Sequence, residues 1–300
     1  MANPVFDKLG KEWTTTTPAG YPTMPGYSVG DTTASSTYTT TGTGAAQPTY
    51  GQTAWDQQTM EHAYAAPAAD AVDRGRMTWD DVLVRTGTSF GLLLAAAVVA
   101  WWVTAVNAGA GVMLSAIGFL GGFVLALINS FSKTIRPALI LAYAAFEGVA
   151  LGAFSALMES MYPGIVVQAV LATAAVFGVT LLLFTSGKVR NSPKLARFVM
   201  IGLIGIIVYR LLNWVLVLTG VLSGGGFNDA TIFGIPLGVA VGFLAVLIGA
   251  ACLIQDFDQA KVGVERGVPA QFAWVCAFGL MVTVVWMYLE ILQLLARLRD

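Results

Sequence analysis

Charged side chains are scarce in this sequence, and their scarcity excludes most soluble functions. They make up 11% of the 300 residues, whereas hydrophobic residues reach 56% and the net charge is −1. An ordinary soluble domain has about 25% charged residues. This composition excludes a soluble enzyme, and it excludes a nucleic-acid binder because no basic face can be assembled. We therefore expect a helical membrane protein with a polar extension.

Histidine and cysteine are almost absent, which removes several kinds of membrane chemistry. The one histidine, His62, lies before the apolar segments, so a haem site with histidine ligands is not expected. No base stands near a serine for proteolysis, and no lysine lies inside an apolar segment. Cys252 and Cys276 are expected to be small packing residues in a reducing compartment. The sequence predicts neither an enzyme nor a cofactor.

The N-terminal part differs in composition from the rest. Residues 1–78 are rich in Thr, Gly, Ser, Ala and Pro, and hold six of the eleven prolines. Without apolar periodicity, such a segment cannot bury enough surface to offset the entropy of ordering it. We expect a disordered cytosolic tail over 1–78 and a membrane domain over 79–300.

Long charge-free stretches follow the tail. Thr86 to Ser132 contains no Asp, Glu, Lys or Arg over 47 residues, which is too long for one span of about 20 residues and suits a hairpin of two. Its turn is predicted at residues 107–111. The whole pattern predicts an all-α integral membrane protein with seven spans, at about 87–106, 113–131, 137–158, 164–184, 197–218, 233–255 and 272–295.

Prolines and glycines agree with this division. Pro137, Pro163 and Pro236 are predicted in the first turn of a span, where a proline costs no helical hydrogen bond, and Pro193 and Pro269 just before a span. No proline is left for a span interior. Glycines four residues apart predict close contacts between helices; they are Gly118 and Gly122, Gly148 and Gly152, and Gly234, Gly238 and Gly242.

Lysine and arginine fall on one side of the predicted topology. They occur before span 1 and in the loops after spans 2, 4 and 6, whereas the other loops have none. The positive-inside rule then places the N-terminus in the cytosol and the C-terminus outside a plasma membrane. Arg297 and Arg299 go against this pattern. If the last span were re-entrant, both termini would be cytosolic, so this second topology stays open.

Charged groups inside the predicted spans are candidates for function, because an unpaired charge there costs several kcal/mol. Glu147 and Arg210 lie at depths of about 15 Å and about 20 Å. These depths are close enough for an ion pair, either a structural clamp or part of a gate. Glu290 lies nearer the outer face, with Arg210 and Arg297 as alternative partners.

Two further carboxylates, Asp256 and Asp258, are predicted at the cytosolic end of span 6. Carboxylates at a membrane boundary repel each other and lose hydration, so they can respond to cytosolic pH. Their oxygen atoms suit hard cations such as Ca²⁺, which is expected to bind only transiently. The alternative is a solvated helix end.

Five segments resemble those of a known family. They are Tyr143–Gly152, Pro163–Phe177, Asp256–Gln259, Ala277–Leu294 and, in the tail, Thr17–Tyr27. In order and spacing they resemble the Bax inhibitor-1 family, in its bacterial branch that includes YccA-like proteins. The tail segment is typical of actinobacterial members.

The resemblance implies a seven-helix bundle with the last helix near its centre and a pH-responsive Ca²⁺ leak. In the family, one carboxylate ending the sixth helix and one early in the seventh share a proton and close the pore from the cytosol. The first maps to Asp256 or Asp258 and the second to Thr283, so half of this latch is absent. Asp256 paired with Asp258 is one substitute, whereas Glu290 lies on the Thr283 face but about 10 Å further out.

YccA-like members also lack the second carboxylate of the latch. For these members the family suggests a role in modulating a membrane protease and the stress response. The sequence thus leaves two functions open. One is a pH-influenced leak for Ca²⁺ or other cations. The other is a non-conducting regulator that binds another membrane protein. The expected partners are the lipid bilayer, Ca²⁺ or a membrane protein, and no nucleic acid.

Overall fold

Seven long helices make up most of the computed structural model, which describes residues 75–132, 134–232 and 234–299. In chain order they are α1 (Trp79–Val106), α2 (Ala108–Phe131), α3 (Pro137–Met161), α4 (Ile165–Thr185), α5 (Pro193–Leu218), α6 (Leu237–Glu265) and α7 (Ala273–Arg299). All seven are long and apolar enough to cross a membrane, α7 together with the short 3₁₀ turn before it. The prediction of a seven-span helical membrane protein is confirmed. The predicted tail lies, up to residue 74, outside the described residues.

Helix α1 begins at Trp79, eight residues before the predicted start of span 1. Thr78 caps it: the Thr78 hydroxyl accepts the Asp81 N–H, and the Asp81 carboxylate accepts the Thr78 N–H. Arg85 then pairs with Asp81 at 3.1 Å, one turn apart. The span was predicted to begin after the last charged residue of this segment. The capping box instead starts the helix among the charged residues.

The predicted turn at residues 107–111 is in the right place but too long, since only Asn107 separates α1 from α2. The Asn107 side chain accepts the Ala110 N–H at 3.1 Å and so caps α2. Gly111 lies inside α2, against Thr104 of α1, at a place where a Cβ would stand 2.2 Å from the Thr104 methyl carbon. Gly111, which the prediction placed in the turn, instead allows the two helices to meet closely.

Helix α6 continues ten residues beyond the predicted end of span 6, to Glu265. Phe257, Ala260 and Gly263 are buried in this extension, so packing carries the helix past the apolar run. Asp256 and Asp258 therefore lie inside α6, and their predicted place at a helix end is wrong.

The prolines lie at helix starts, with shifts of one or two residues from the prediction. Pro137 and Pro193 occupy the first helical position of α3 and α5. Pro163 precedes the residue that caps α4, and Pro236 itself precedes α6. Within the described helices no proline lies in an interior, as predicted.

Helix α7 is at the centre of the bundle, as the resemblance implied. It packs on α6, α1, α4 and α3. In its most apolar stretch 67% of the residues are buried, against 6% in α5, which packs on α6 and on the loop that follows α5. That loop carries a 3₁₀ turn (Gly226–Asn228) and a short antiparallel ladder of β1 (Thr231–Ile232) and β2 (Ile235–Pro236).

The glycine pairs that predicted close helix contacts lie at such contacts. Cβ atoms on Gly148 and Gly152 of α3 would stand 2.2 and 2.0 Å from carbonyl oxygens of α1. Gly118 of α2 faces the Ala150 backbone of α3 at similarly short range. Gly234 is the exception, because it lies between β1 and β2 and contacts no helix.

Helix α7 crosses the whole bundle, so the alternative of a re-entrant last span is wrong. Arg297 donates to the Gly238 carbonyl at the start of α6, and Arg299 donates to the Pro163 carbonyl between α3 and α4. These anchors explain why two arginines stand at this end. We call it the opposite end, and we call the other end, formed by the segment before α1 and by the α2–α3, α4–α5 and α6–α7 loops, the basic end.

Candidate functional site

Three polar side chains lie seven residues apart along α7 and form what we call the α7 polar stripe: Thr283, Glu290 and Arg297. Seven residues are close to two helical turns, so the three share one face over about 20 Å. Each is hydrogen-bonded to α5 or α6. The central helix therefore presents a row of polar groups to these two helices.

The first member of the stripe joins α7 to α6. The Thr283 hydroxyl donates to Asp256 Oδ2 at 2.6 Å. Thr283 is buried and Asp256 is partly buried. Gly279, one turn before Thr283, also faces this carboxylate, since a Cβ there would be in ordinary van der Waals contact with Asp256 Oδ1 at 3.4 Å. Of the two aspartates, Asp256 is thus the one that meets the position mapped to the second half of the latch.

Asp258 points to a different element. It accepts a hydrogen bond from the Asn191 amide of the α4–α5 loop at 3.0 Å. Residues two apart on a helix do not face the same way. The hydrogen bonds of the two carboxylates therefore lead to different elements, whereas the sequence predicted one pair or one cation site. Among the described residues, no three His, Cys, Asp or Glu side chains are grouped to hold a metal ion.

Two buried cysteines lie near this contact. Cys252 is one turn before Asp256 on α6, and Cys276 is one heptad before Thr283 on α7. Both are free thiols in apolar clusters. Sequence reasoning missed Gln255, which is buried beside Asp256 in the chain and whose amide nitrogen has no partner among the described residues.

The second member of the stripe forms a buried ion pair with α5. Glu290 is 1% exposed and accepts from Arg210 at 2.6 Å and from the Trp286 indole at 2.8 Å. Of the two alternatives left open for Glu290, Arg210 is the partner. The prediction that Arg210 pairs with Glu147 is wrong, because α5 packs on α6 and α3 packs chiefly on α1 and α2.

Glu147 is buried between α3 and α2 instead. A Cβ on Gly122 of α2 would stand 2.4 Å from Glu147 Oε2, so the missing side chain of this glycine makes room for the carboxylate. Depth along each helix placed Glu147 and Arg210 at similar levels. Depth does not tell which way a helix face turns, which is why the predicted partner was wrong.

A comparison with protein families gives one decisive match. The family model described as Bax inhibitor 1 like matches residues 3–300. The chain belongs to this family. The Bax inhibitor 1 like match includes the segment before α1, which the resemblance covered only loosely. Neither the curated proteins nor the solved structures give a match to the chain.

This Bax inhibitor 1 like chain also has a contact that sequence reasoning missed, at its basic end. Residues 75–78, which we call the N-terminal clip, form a β-bridge with the α6–α7 loop. The Met77 N–H donates to the Val268 carbonyl at 2.7 Å, and the Ala270 N–H donates to the Gly75 carbonyl at 2.9 Å. The clip thus ties the start of α1 to the loop between the two helices that hold Asp256 and Thr283.

The Met77 side chain anchors the clip. It is 1% exposed and lies in an apolar cluster with Val82, Val268 and Cys276. Arg85 adds a hydrogen bond to the Ala270 carbonyl. A hydrophobic residue before the N-cap that packs on the fourth helical residue is a hydrophobic staple. Met77, Thr78 and Val82 have that spacing, so the sequence did contain a signal for it.

Proposed function

We propose that this Bax inhibitor 1 like protein is a gated cation leak, with Ca²⁺ as the first candidate, in the plasma membrane. Asp256 and Thr283 form its gate, and the basic end faces the cytosol. The observation that carries the proposal is the 2.6 Å hydrogen bond between these two side chains, which joins α6 to the central helix. The orientation rests on the lysines and arginines of the basic end.

In the proposed closed state, two contacts made by α7 close the path. Asp256 is held by Thr283, and Glu290, about 10 Å further along α7, is held by Arg210 and Trp286. In this closed arrangement protein donors occupy both carboxylates. Separating α7 from α5 and α6 would free the Glu290 carboxylate on this path, and carboxylate oxygens are ligands that Ca²⁺ prefers.

Protonation of Asp256 is the proposed link to pH. A hydrogen bond to a carboxylate is roughly twice as strong as one between neutral groups. Protonation therefore weakens the contact that holds the gate closed and shifts the equilibrium toward the open state. Acidification on the cytosolic side should raise the leak.

The test is Ca²⁺ flux into liposomes that contain the full chain and an enclosed indicator, measured across a pH series. We expect Asp256→Asn to raise the flux and abolish its pH dependence. Asp258→Asn is the matched control, since it removes an equal charge two residues away that contacts Asn191, and should keep the wild-type profile. Equal behaviour of the two variants would contradict the role given to Asp256.

A second candidate is the non-conducting regulator, and the packing of α5 favours it. Only 6% of the most apolar stretch of α5 is buried, and large side chains such as Ile201, Ile204 and Trp214 are exposed. A partner helix, for example from a membrane protease in a stress response, would cover this face. The regulator requires no flux at any pH.

Photo-crosslinking in cells separates the two candidates. A photoreactive residue at Ile204 on α5 is compared with one at Leu120 on α2, which is exposed to a similar degree, 68% against 56%. A defined protein adduct from Ile204 alone, together with absent Ca²⁺ flux, would favour the regulator. Flux without an adduct would favour the leak.

A further inference from the structure

A small polar cavity lies at the opposite end of the bundle, between α5, α6, α7 and the α5–α6 loop. Its volume is about 150 Å³, and it is lined by Tyr209, Arg210, Asn213, Asn228, Val241 and Arg297. Since a water molecule takes about 30 Å³, the cavity has room for a small polyatomic ion with some water. The proposed leak uses one of its lining residues, Arg210, to hold Glu290, but neither the leak nor the family match assigns a role to the cavity itself.

Two guanidinium groups, those of Arg210 and Arg297, line the cavity. Each guanidinium carries five N–H donors. Hydrogen bonds within the described residues engage Nη2 of Arg210, to Glu290, and Nη1 of Arg297, to the Gly238 carbonyl at 2.7 Å. The other nitrogens of both groups remain as donors for a ligand.

The acceptors around the cavity are already engaged. Both oxygens of Glu290 are occupied, by Arg210 and by Trp286. Asn228 Oδ1 accepts the Tyr209 hydroxyl at 2.9 Å, which leaves the Asn228 amide nitrogen as a further donor. The Asn213 amide oxygen accepts a hydrogen bond from the Phe227 N–H. A ligand of this cavity must therefore bring acceptors.

The charges point in the same direction. Glu290 matches the charge of Arg210 at 2.6 Å, whereas Arg297 forms no ion pair with any carboxylate of residues 75–132, 134–232 and 234–299. Asp229, an exposed acid of the neighbouring loop, is turned to the Gly225 N–H at 2.7 Å. The cavity thus holds one guanidinium that has no ion-pair partner among these residues, and its planar fork suits carboxylate and phosphate oxygens.

We propose that this cavity binds a phosphate-type oxyanion, with Arg297 and Arg210 as its main ligands and Asn228 as a third donor. Arg297 lies two residues before the last residue of α7, about 3 Å along the helix, and the ends of membrane-spanning helices lie near the lipid headgroups. The phosphate can therefore come from a lipid of that leaflet or from free phosphate. The chemistry of recognition is the same for both.

The first test is titration of the purified full chain in a maltoside detergent with inorganic phosphate, against chloride at equal ionic strength. We expect saturable binding by calorimetry and a rise in melting temperature. Arg297→Gln should weaken binding at least about tenfold, the value of a charge-assisted contact. Arg299→Gln is the matched control, because Arg299 is two residues away and contacts Pro163 and Gln168 instead.

Arg297→Lys keeps the proposal testable if Arg297→Gln does not fold. It retains the charge and a donor for the Gly238 carbonyl but loses the fork, so phosphate should bind more weakly than in the wild type. Equal weakening by Arg299→Gln, or binding that does not saturate in the wild type, would overturn the proposal.

A second arm distinguishes the source of the phosphate. Phosphatidylglycerol added to the delipidated chain should displace bound phosphate if the site takes a lipid headgroup, and phosphatidylcholine vesicles serve for comparison. Retention of phosphate in the presence of either lipid would identify a free anion. Displacement and retention of phosphate both support the site, provided that Arg297→Gln removes the binding. Binding that Arg297→Gln leaves unchanged in both arms would overturn the proposal.

Discussion

Thr283 and Asp256 meet across the contact between α7 and α6, with 2.6 Å between their side-chain oxygens. The resemblance to the family implied two carboxylates at this place. Here a hydroxyl stands in for one of them, and it preserves the contact while removing one negative charge. In the proposed gate, a single hydrogen bond from a hydroxyl to a carboxylate takes the place of a proton shared by two carboxylates.

Replacing Thr283 by valine should destabilise the contact. The hydroxyl is lost while shape is nearly kept, so the partly buried carboxylate of Asp256 loses its donor. We expect a loss of about 1–3 kcal/mol in unfolding free energy, measured by thermal or SDS denaturation in micelles. Thr283→Ser keeps the donor and should lose less. Equal losses for the two variants would show that packing and not the hydrogen bond matters.

Replacing Thr283 by aspartate should restore the pair of carboxylates implied by the resemblance. Two carboxylates at about 3 Å cannot both ionise easily and titrate as a coupled pair. We expect a leak with a steeper pH dependence than in the wild type, measured by Ca²⁺ flux into liposomes. Thr283→Asn has the same shape without the charge and should not steepen the profile. Identical profiles for both variants would contradict the latch interpretation.

Breaking the Arg210–Glu290 pair should be costly. In Arg210→Met, a carboxylate that is 1% exposed keeps only the Trp286 donor, which typically costs about 3–5 kcal/mol. Arg210→Met combined with Glu290→Met should recover much of the loss, because no buried charge is left unpaired. Lys261→Met breaks an exposed pair with Glu265 at 3.7 Å and should change stability by less than about 1 kcal/mol. The unfolding free energies of the wild type and the three variants, measured by denaturation, test this prediction.

Gly152→Ala should prevent normal folding of α1 against α3. The new Cβ would stand 2.0 Å from the Ala97 carbonyl oxygen, and this backbone atom cannot move without shifting α1. Gly178→Ala on α4 is the matched control, with no atom within 4 Å of its Cβ, and should be neutral or slightly stabilising. Size-exclusion profiles and melting temperatures of the two variants test this, and similar values would contradict the close approach of the two helices.

Met77→Ala should loosen the N-terminal clip and expose Cys276. Met77 is buried in the apolar cluster that contains this thiol, so we expect its truncation to open a path for water. In a Cys252→Ala background, we expect a water-soluble maleimide to label Cys276 faster in Met77→Ala than in the parent. Trp79→Ala, which truncates an exposed side chain of the same segment, should leave the labelling rate unchanged. Labelling that is equally slow in all three proteins would mean that the clip does not cover Cys276.

Several features followed from local pattern and were correct. Seven crossings, the helix-start prolines and the close contacts at Gly118, Gly148 and Gly152 required only hydropathy and spacing. The extent of α6 and the start of α1 were wrong because a helix does not end where charge begins. A capping box started α1 early, and burial of Phe257 and Gly263 continued α6.

The partners of the charged groups could not be predicted from local pattern alone. Position along a helix is a local quantity, so the sequence placed Glu147, Arg210 and Glu290 at sensible depths and left Arg210 among the partners of Glu290. Which side of each helix faces which neighbour depends on how the helices rotate and pack, and that is a property of the whole bundle.

Amino-acid order alone thus establishes that the chain crosses a membrane seven times with its basic loops at one end, because hydrophobic length and the positions of charge are read residue by residue. The folded bundle alone decides that Asp256 meets Thr283, that Glu290 meets Arg210, and that Asp258 stands apart from both. Such contacts join residues 27 and 80 positions apart, and only the packing of α5 and α6 on α7 brings them within hydrogen-bond distance.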